Sequence, residues 1–418
     1  MKRYLVEREL IQNNIQVLQK KAGSAVIWAV LKGNGYGLGL LPMAETCRAA
    51  GLDHFAVTEI AEARALREGG FETEPILMLQ PTADADEITA LLPLHVIFTI
   101  SSTEDASVLA GLAAQAGVTA EAHIKIDTGM GRYGFLPEEM EKIMPVYHYM
   151  DTIHVTGIYT HLHSAFCDKK ATKAQIESFS RVLAALREAG IEPGMAHILN
   201  SSGVLHFSGA AMDAVRVGSA LLGRVHGGHG LKRVGYCETQ VEELKWLPKG
   251  HTTGYGAGWK AKRPTRVAIL PVGWYNGFGC EMGNDLFRFR DCLRRIAASL
   301  RVMLFGKAYY VTINGKRCKV LGHIGMLHTA ADVSGIQCSL GDPARVEINP
   351  LMQKGMDVEW RSQWDTRSRQ SRPAMAGAAS GFCGCPARAA SNAPRRSFPA
   401  RTASRWRLRR IGSSCSAR

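Results

Sequence analysis

Residues 25–39, AVIWAVLKGNGYGLG, decide how the rest of this chain is read. Ala25–Val30 has the length and apolar make-up of a short buried strand, and Leu31-Lys32 ends it. A glycine-rich turn carrying one aromatic, Tyr36, follows at once. A lysine at the end of a buried strand is costly to desolvate unless it is paired, neutralised or chemically used. Lys32 is therefore either a snorkelling surface lysine or an amine kept reactive towards a carbonyl. The glycines at 33, 35, 37 and 39 lack the G-x-G-x-x-G spacing of a dinucleotide loop.

Outward from this stretch the same kind of run recurs. Further strand candidates are Phe55–Val57, Ile76–Leu79, Val96–Ile100, Ala122–Ile126, Ile153–Ile158, Met195–Leu199 and Ala214–Val217. Helical stretches at 41–50, 58–69, 102–116, 137–147 and 173–189 separate most of them, after a first amphipathic helix over 7–21. In 58–70, TEIAEARALREGG, Thr58 is a candidate N-cap and Gly69-Gly70 a stop. This alternation predicts an α/β fold whose N-terminal part, residues 1–234, is a (β/α)8 barrel. Beyond it the helical period fades, and Thr265–Val272, Ala308–Ile313, Lys316–Gly322 and Ala344–Ile348 read as strands of a mainly β domain over 235–360. Asn314-Gly315 is a strong hairpin signal.

The net charge of +14 on 418 residues is unevenly spread. Residues 361–418 hold thirteen Arg, no Lys and one acid, a net of +12, which leaves +2 for the body. The excess therefore gives the body no nucleic-acid-binding signature. This basic, low-complexity tail should pack no core. Its composition is that of translation in a neighbouring reading frame, with a genuine disordered basic tail as the alternative. No apolar run reaches the roughly 18 residues of a membrane span, and MKRYLVEREL lacks the apolar centre of a signal peptide, so a cytoplasmic location is expected. The ten cysteines, with Cys383 and Cys385 as their one close pair, suggest neither a disulfide framework nor a metal site.

In such a barrel the active site lies at the C-terminal ends of the strands. Read there, the chain offers Lys32, then Lys125, Asp127 and Arg132 in KIDTGMGRYGF, and His161 and His163 in THLHSAF. Asn200, Ser201 and Ser202 follow, and then Arg216 with Gly218 and Ser219. The Gly218 and Ser219 amides, with the hydroxyls of Ser201 and Tyr36, would suit a phosphate.

Eight segments carry a resemblance: AVLKGNGYGLG, FAVTEIAEARALREGG, KIDTGMGRYGF, YTHLHSA, LNSSG, DAVRVGSALLG, GYGAGW and PVGWYNGF. In order and spacing they make residues 1–350 resemble alanine racemase, a pyridoxal phosphate enzyme with an N-terminal barrel and a C-terminal β domain. The resemblance implies that Lys32 carries the cofactor covalently. It implies that Tyr36, Ser201, Gly218 and Ser219, with Asn200 beside them, hold the phosphate. It places Arg216 at the pyridine nitrogen and His161 beside the ring. Arg132 would pair with the substrate carboxylate or the cofactor's phenolic oxygen, buttressed by Lys125, which is carbamylated in many family members. Met326 would offer a backbone N–H to the substrate carboxylate. Tyr255 would be the second catalytic base, supplied by the opposite subunit of a head-to-tail homodimer. His163 reads as a structural neighbour of His161.

Racemisation removes a proton on one face of a carbon and returns one on the other, so it needs two bases on opposite sides. Lys32 and Tyr255 would be that pair, acting on a small amino acid, alanine, to supply D-alanine for the cell wall. Trp274 and Leu327 depart from the family's usual Tyr and Asp, and they raise a racemase for serine or another small amino acid as an alternative. The tail offers no match for a further phosphate-contacting tyrosine of the family. A decarboxylase of related fold, a non-enzymatic pyridoxal phosphate-binding barrel and nucleic-acid binding through the tail are the other readings.

Overall fold

The computed structural model describes residues 2–225, 228–280, 289–305 and 308–362, so the arginine-rich tail from 363 onward, Cys383 and Cys385 included, lies outside the described residues. The chain opens with β1 (Arg3–Glu7) and α1 (Arg8–Ala22). Eight strands then alternate with helices: β2 (Val26–Val30), β3 (His54–Val57), β4 (Ile76–Met78), β5 (Phe98–Ile100), β6 (Ala120–Lys125), β7 (Ile153–Tyr159), β8 (Met195–His197) and β9 (Ala214–Val217). They form one parallel sheet in the order β4-β3-β2-β9-β8-β7-β6-β5. The Leu77–Ile97 bridge joins its two ends and closes the barrel. Every strand predicted from an apolar run is present, because barrel strands are buried on both faces and betray themselves by composition.

Two helices of the barrel carry too weak a period to be read: Ala85–Leu91, capped by Asp84, and Ser201–His206, capped by Asn200. The predicted N-cap Thr58 is displaced by one residue. Helix α2 (Ile60–Glu68) starts from Glu59, whose N–H donates to the Glu62 carboxylate at 3.2 Å.

Among the described residues, nine of the remaining strands build a second sheet and Thr252–Thr253 pairs separately with Trp259–Lys260. Asn314 and Gly315 at φ 49° and 74° turn the hairpin between Tyr310–Ile313 and Lys316–Leu321 as predicted. Two features of this part escaped the sequence reading. Strand β1 belongs to this second sheet, antiparallel to Tyr236–Gln240 and parallel to Asp357–Arg361, although 1–234 was expected to serve the barrel. A helix also spans Phe289–Phe305, where the helical period was expected to fade, with exposed Phe289, Leu293, Ile296 and Leu300 at helical spacing.

The C-terminal segment lies against the turn after β2. The Trp360 indole N–H donates to Leu38 O at 2.9 Å, and a Cβ on Gly37 would come within 2.9 Å of Pro350 O. Gly37 sits at φ 81°, so both its backbone and its lack of a side chain are required.

Tyr4 anchors β1: its ring is fully buried and its hydroxyl donates to Ile348 O at 2.8 Å. Tyr4→Ala should lower unfolding stability in urea by about 3–5 kcal/mol, and Tyr4→Phe by about 1 kcal/mol. A Tyr4→Ala protein as stable as the parent would contradict the placement of β1 in the sheet.

Candidate active site

The barrel mouth holds a cavity of about 390 Å³. Lys32, Tyr36, Lys125, Arg132, His161, Asn200, Ser201, Ser202, Arg216, Gly218 and Ser219 all line it, whereas Asp127 and His163, also offered by the sequence, are not among its lining residues. Thr58, Gln80, Tyr133 and Tyr159 complete much of the wall. Lys32 follows β2 after one residue, Leu31, and is exposed to the cavity. The protein packed around its amine and the nearby Arg132 lower its pKa, and Glu62 opposes them. Lys125 ends β6 and is buried, 5.2 Å from the Tyr133 ring and 5.4 Å from the Tyr159 ring. Burial, then Arg132 and Arg216, push its pKa down to about 7.

Arg216 is the most constrained cation. Its guanidinium donates to His197 Nδ1 at 2.8 Å, to His197 O at 3.0 Å and to Thr160 O, and lies 4.8 Å from the Tyr159 ring centre. A guanidinium only donates, so His197 Nδ1 must accept. His197 Nε2 therefore carries the hydrogen and donates to His123 Nδ1 at 2.9 Å. Burial and the Arg216 charge keep both imidazoles neutral, His123 down to about 3 and His197 well below its ordinary value. His161 is likewise pushed down to about 3, by burial and then by Arg216. His123 and His197 were missed in the sequence because each faces the barrel interior, where a histidine looks like any core residue.

Asp127 organises the turn after β6. Its carboxylate accepts the N–H groups of Gly129, Met130, Gly131 and Arg132 at 2.7–3.1 Å. Burial alone would raise its pKa, but these donors outweigh it and hold the carboxyl below its usual range. The turn thereby delivers Arg132 to the cavity without spending the Asp127 charge on its guanidinium.

Another part of the wall is made of backbone amides and two hydroxyls. Ser201 Oγ accepts from Gly218 N–H at 3.0 Å and Ala220 N–H at 3.3 Å. A Cβ on Gly218 would fall 2.0 Å from Tyr36 Oη, so only glycine lets that phenol approach. Gly218 N–H is thus engaged by Ser201, which leaves the Ser219 N–H and the two hydroxyls facing an anion. Among the described residues, four basic side chains and no carboxylate line this space. That donor set fits a ligand with several negative charges, such as pyridoxal phosphate together with an amino acid.

Tyr255 and Met326 are not among the lining residues of this cavity. Tyr255 is 83% exposed and lines a separate hollow with Thr253, Leu321, His323 and His328. Met326 is also exposed, in a turn tied to Tyr275, whose N–H donates to Met326 O at 3.0 Å. His163 engages Ser164 Oγ and Gln175, in keeping with a structural role.

The Lys125 environment has a direct test. In carbon dioxide-free buffer, competitive acetylation of Lys125 should show a midpoint near pH 7. Arg132→Ala should move that midpoint upward, because it removes a positive neighbour. A midpoint at the ordinary lysine value in the parent protein would contradict this geometry.

The sequence matches the family descriptions "Alanine racemase, N-terminal domain" over residues 6–225 and "Alanine racemase, C-terminal domain" over residues 234–366. It is 31% identical over 341 residues to the alanine racemase of Desulforamulus reducens, covering 79% of this chain and 85% of that protein. It is 31% identical over 348 residues to that of Methylacidiphilum infernorum, covering 81% of each. The solved alanine racemase of Clostridium difficile superposes with a TM-score of 0.71 at 23% identity, covering 87% of this chain and 96% of that one. The enzyme from Streptomyces lavendulae gives 0.72 at 21%, covering 86% and 97%. At those identities the structures speak for the fold, and the sequence matches carry the kinship. With both family descriptions matched in order along its body, this chain belongs to the alanine racemase family, whose members depend on pyridoxal phosphate.

Proposed function

We propose that this protein interconverts L- and D-alanine by a two-base exchange at Cα, with Lys32 of one copy and Tyr255 of a second as the bases, and so supplies D-alanine for peptidoglycan in the cytoplasm. The observation that carries this reading is the polycationic cavity at the barrel mouth, lined by Lys32 and, among the described residues, by no carboxylate. Bound pyridoxal phosphate would withdraw electrons from the substrate's Cα and make its proton acidic. Lys32, Tyr36, Asn200, Ser201, Arg216 and Ser219 would hold that cofactor, with Gly218 making room for the Tyr36 hydroxyl and His161 beside the ring.

The protein's own groups fit the remaining tasks. A Lys32 amine with a lowered pKa can take and return a proton. Arg216 keeps its proton near neutrality even with its pKa lowered to about 10 by burial, so it can only donate hydrogen bonds to whatever it faces. Arg132, which lines the cavity with Lys125, would receive a carboxylate. The neutral His161 adds polar surface without adding another charge.

Tyr255 is turned outward and lines a different hollow from Lys32, so one chain alone presents only half of the machinery. A head-to-tail homodimer would bring the partner's tyrosine over this cavity. Alanine is favoured over serine by the relatives, which are alanine racemases; Trp274 and Leu327 are exposed and stand outside the cavity lining. Among the described residues no helix is long and apolar enough to cross a membrane.

Complementation between subunits tests both bases at once. Lys32→Ala and Tyr255→Phe proteins, each assayed alone by polarimetry with L-alanine, should be nearly inactive. Mixed under conditions that exchange subunits, they should recover about a quarter of parental activity, since half of the dimers are hybrid and each hybrid has one intact site. No recovery from demonstrably hybrid dimers would contradict the shared site, and a parent that turns over L-serine but not L-alanine would contradict the substrate.

A further inference from the structure

The turn that carries Lys32 runs against the grain of an L-polypeptide. Gly33, Asn34, Gly35 and Tyr36 follow one another at φ 66°, 54°, 61° and 57°, a complete left-handed turn. Gly35 N–H closes it onto Leu31 O at 2.8 Å, and Gly37 N–H onto Gly33 O at 2.9 Å. Glycine adopts this conformation freely, but Asn34 and Tyr36 carry Cβ atoms and are strained in it. The geometry is useful nonetheless. It brings Lys32 and Tyr36 to the same cavity and sets the Tyr36 hydroxyl over Gly218.

One buried carboxylate outside the cavity lining grips this turn. Glu62, on α2, accepts the Asn34 N–H at 2.8 Å with Oε1 and the N–H groups of Thr58 and Glu59 at 3.1 and 3.2 Å with Oε2. It therefore joins the left-handed turn after β2 to the chain leaving β3. Asn34 takes part from the other side, its Oδ1 accepting Leu40 N–H at 2.8 Å. We propose that Glu62 is a positioning residue: its carboxylate bolts the left-handed turn to the end of the neighbouring strand and so aims Lys32 and Tyr36 at one ligand. This rests on the reading of Lys32 given above.

The carboxylate form matters for two reasons. Three N–H donors converge on its two oxygens, whereas a glutamine amide offers one oxygen and would turn its NH2 towards donors. The second reason is charge. Facing Lys32 are the cations Lys125, Arg132 and Arg216, the neutral His161, and the phenols Tyr36, Tyr133 and Tyr159. Glu62 opposes the effect of Arg132 on Lys32 and favours its protonated amine.

The test uses the full-length parent, Glu62→Gln and Glu62→Asp, each stripped of bound cofactor and titrated with pyridoxal phosphate across pH. In attachment the Lys32 nitrogen replaces the aldehyde oxygen, which leaves as water. Borohydride then fixes the bond, and mass spectrometry locates it. Glu62→Gln should bind pyridoxal phosphate at least about tenfold more weakly, and its attachment midpoint should shift to lower pH. Glu62→Asp, which keeps the charge, should keep the parental midpoint, a rescue that a purely structural role would not give. Parental affinity and midpoint in Glu62→Gln would overturn the proposal, as would a midpoint in Glu62→Asp displaced like that of Glu62→Gln. A parent that attaches nothing at Lys32 would instead overturn the reading of Lys32. Should Glu62→Gln fail to fold, amide exchange in the parent decides. Although Asn34 is an exposed residue, its N–H should exchange at least about tenfold more slowly than a free amide, and unprotected exchange there would overturn the proposal.

Discussion

Lys32, Lys125, Arg132 and Arg216 share one cavity, and among the described residues no carboxylate lines it. Like charges held this close destabilise one another unless some lose their proton or an anion arrives. The structure relieves part of the repulsion internally. Lys125 is driven towards neutrality, and the three histidines around Arg216 are uncharged. What remains is an attractive field for a ligand with a phosphate and a carboxylate, and that field is the link between this barrel and its chemistry.

The nearby acids are kept out of the cavity by being given other work. Asp127 is saturated by four backbone N–H groups, and Glu62 by three. Each carboxylate shapes a turn that delivers a cation, Arg132 in one case and Lys32 in the other. The Arg216–His197–His123 chain does the same for the third wall, fixing one tautomer along its length because its first member can only donate. A rigid guanidinium thus reaches the cavity with no acid beside it.

Much of this was legible in the sequence. Buried parallel strands announce themselves as apolar runs, and the polar residues at their ends fall at one mouth by the geometry of the barrel alone. What failed was local. RYLVE is short and runs into a helix, so nothing in it reveals that β1 joins a sheet whose other strands come more than two hundred residues later. The Phe289–Phe305 helix does carry a helical period, and it was masked by its setting among strands. Glu62, His123 and His197 were illegible as site residues because their roles depend on partners distant in sequence. The left-handed turn was half legible: its glycines mark an unusual backbone, but Asn34 and Tyr36 at positive φ do not. The separation of Tyr255 from Lys32 into two hollows is a three-dimensional fact that spacing cannot supply.

The account's central claim is that hydrogen leaves one face of Cα and a different one arrives at the other. Its most direct test is initial-rate turnover of L-alanine in deuterium oxide, with the D-alanine formed isolated and examined by mass spectrometry. The expected product carries one deuterium at Cα in essentially every molecule, because both bases exchange their protons with solvent. D-alanine that retains the original hydrogen would mean a single base carrying it across, and would contradict a site built from Lys32 and Tyr255.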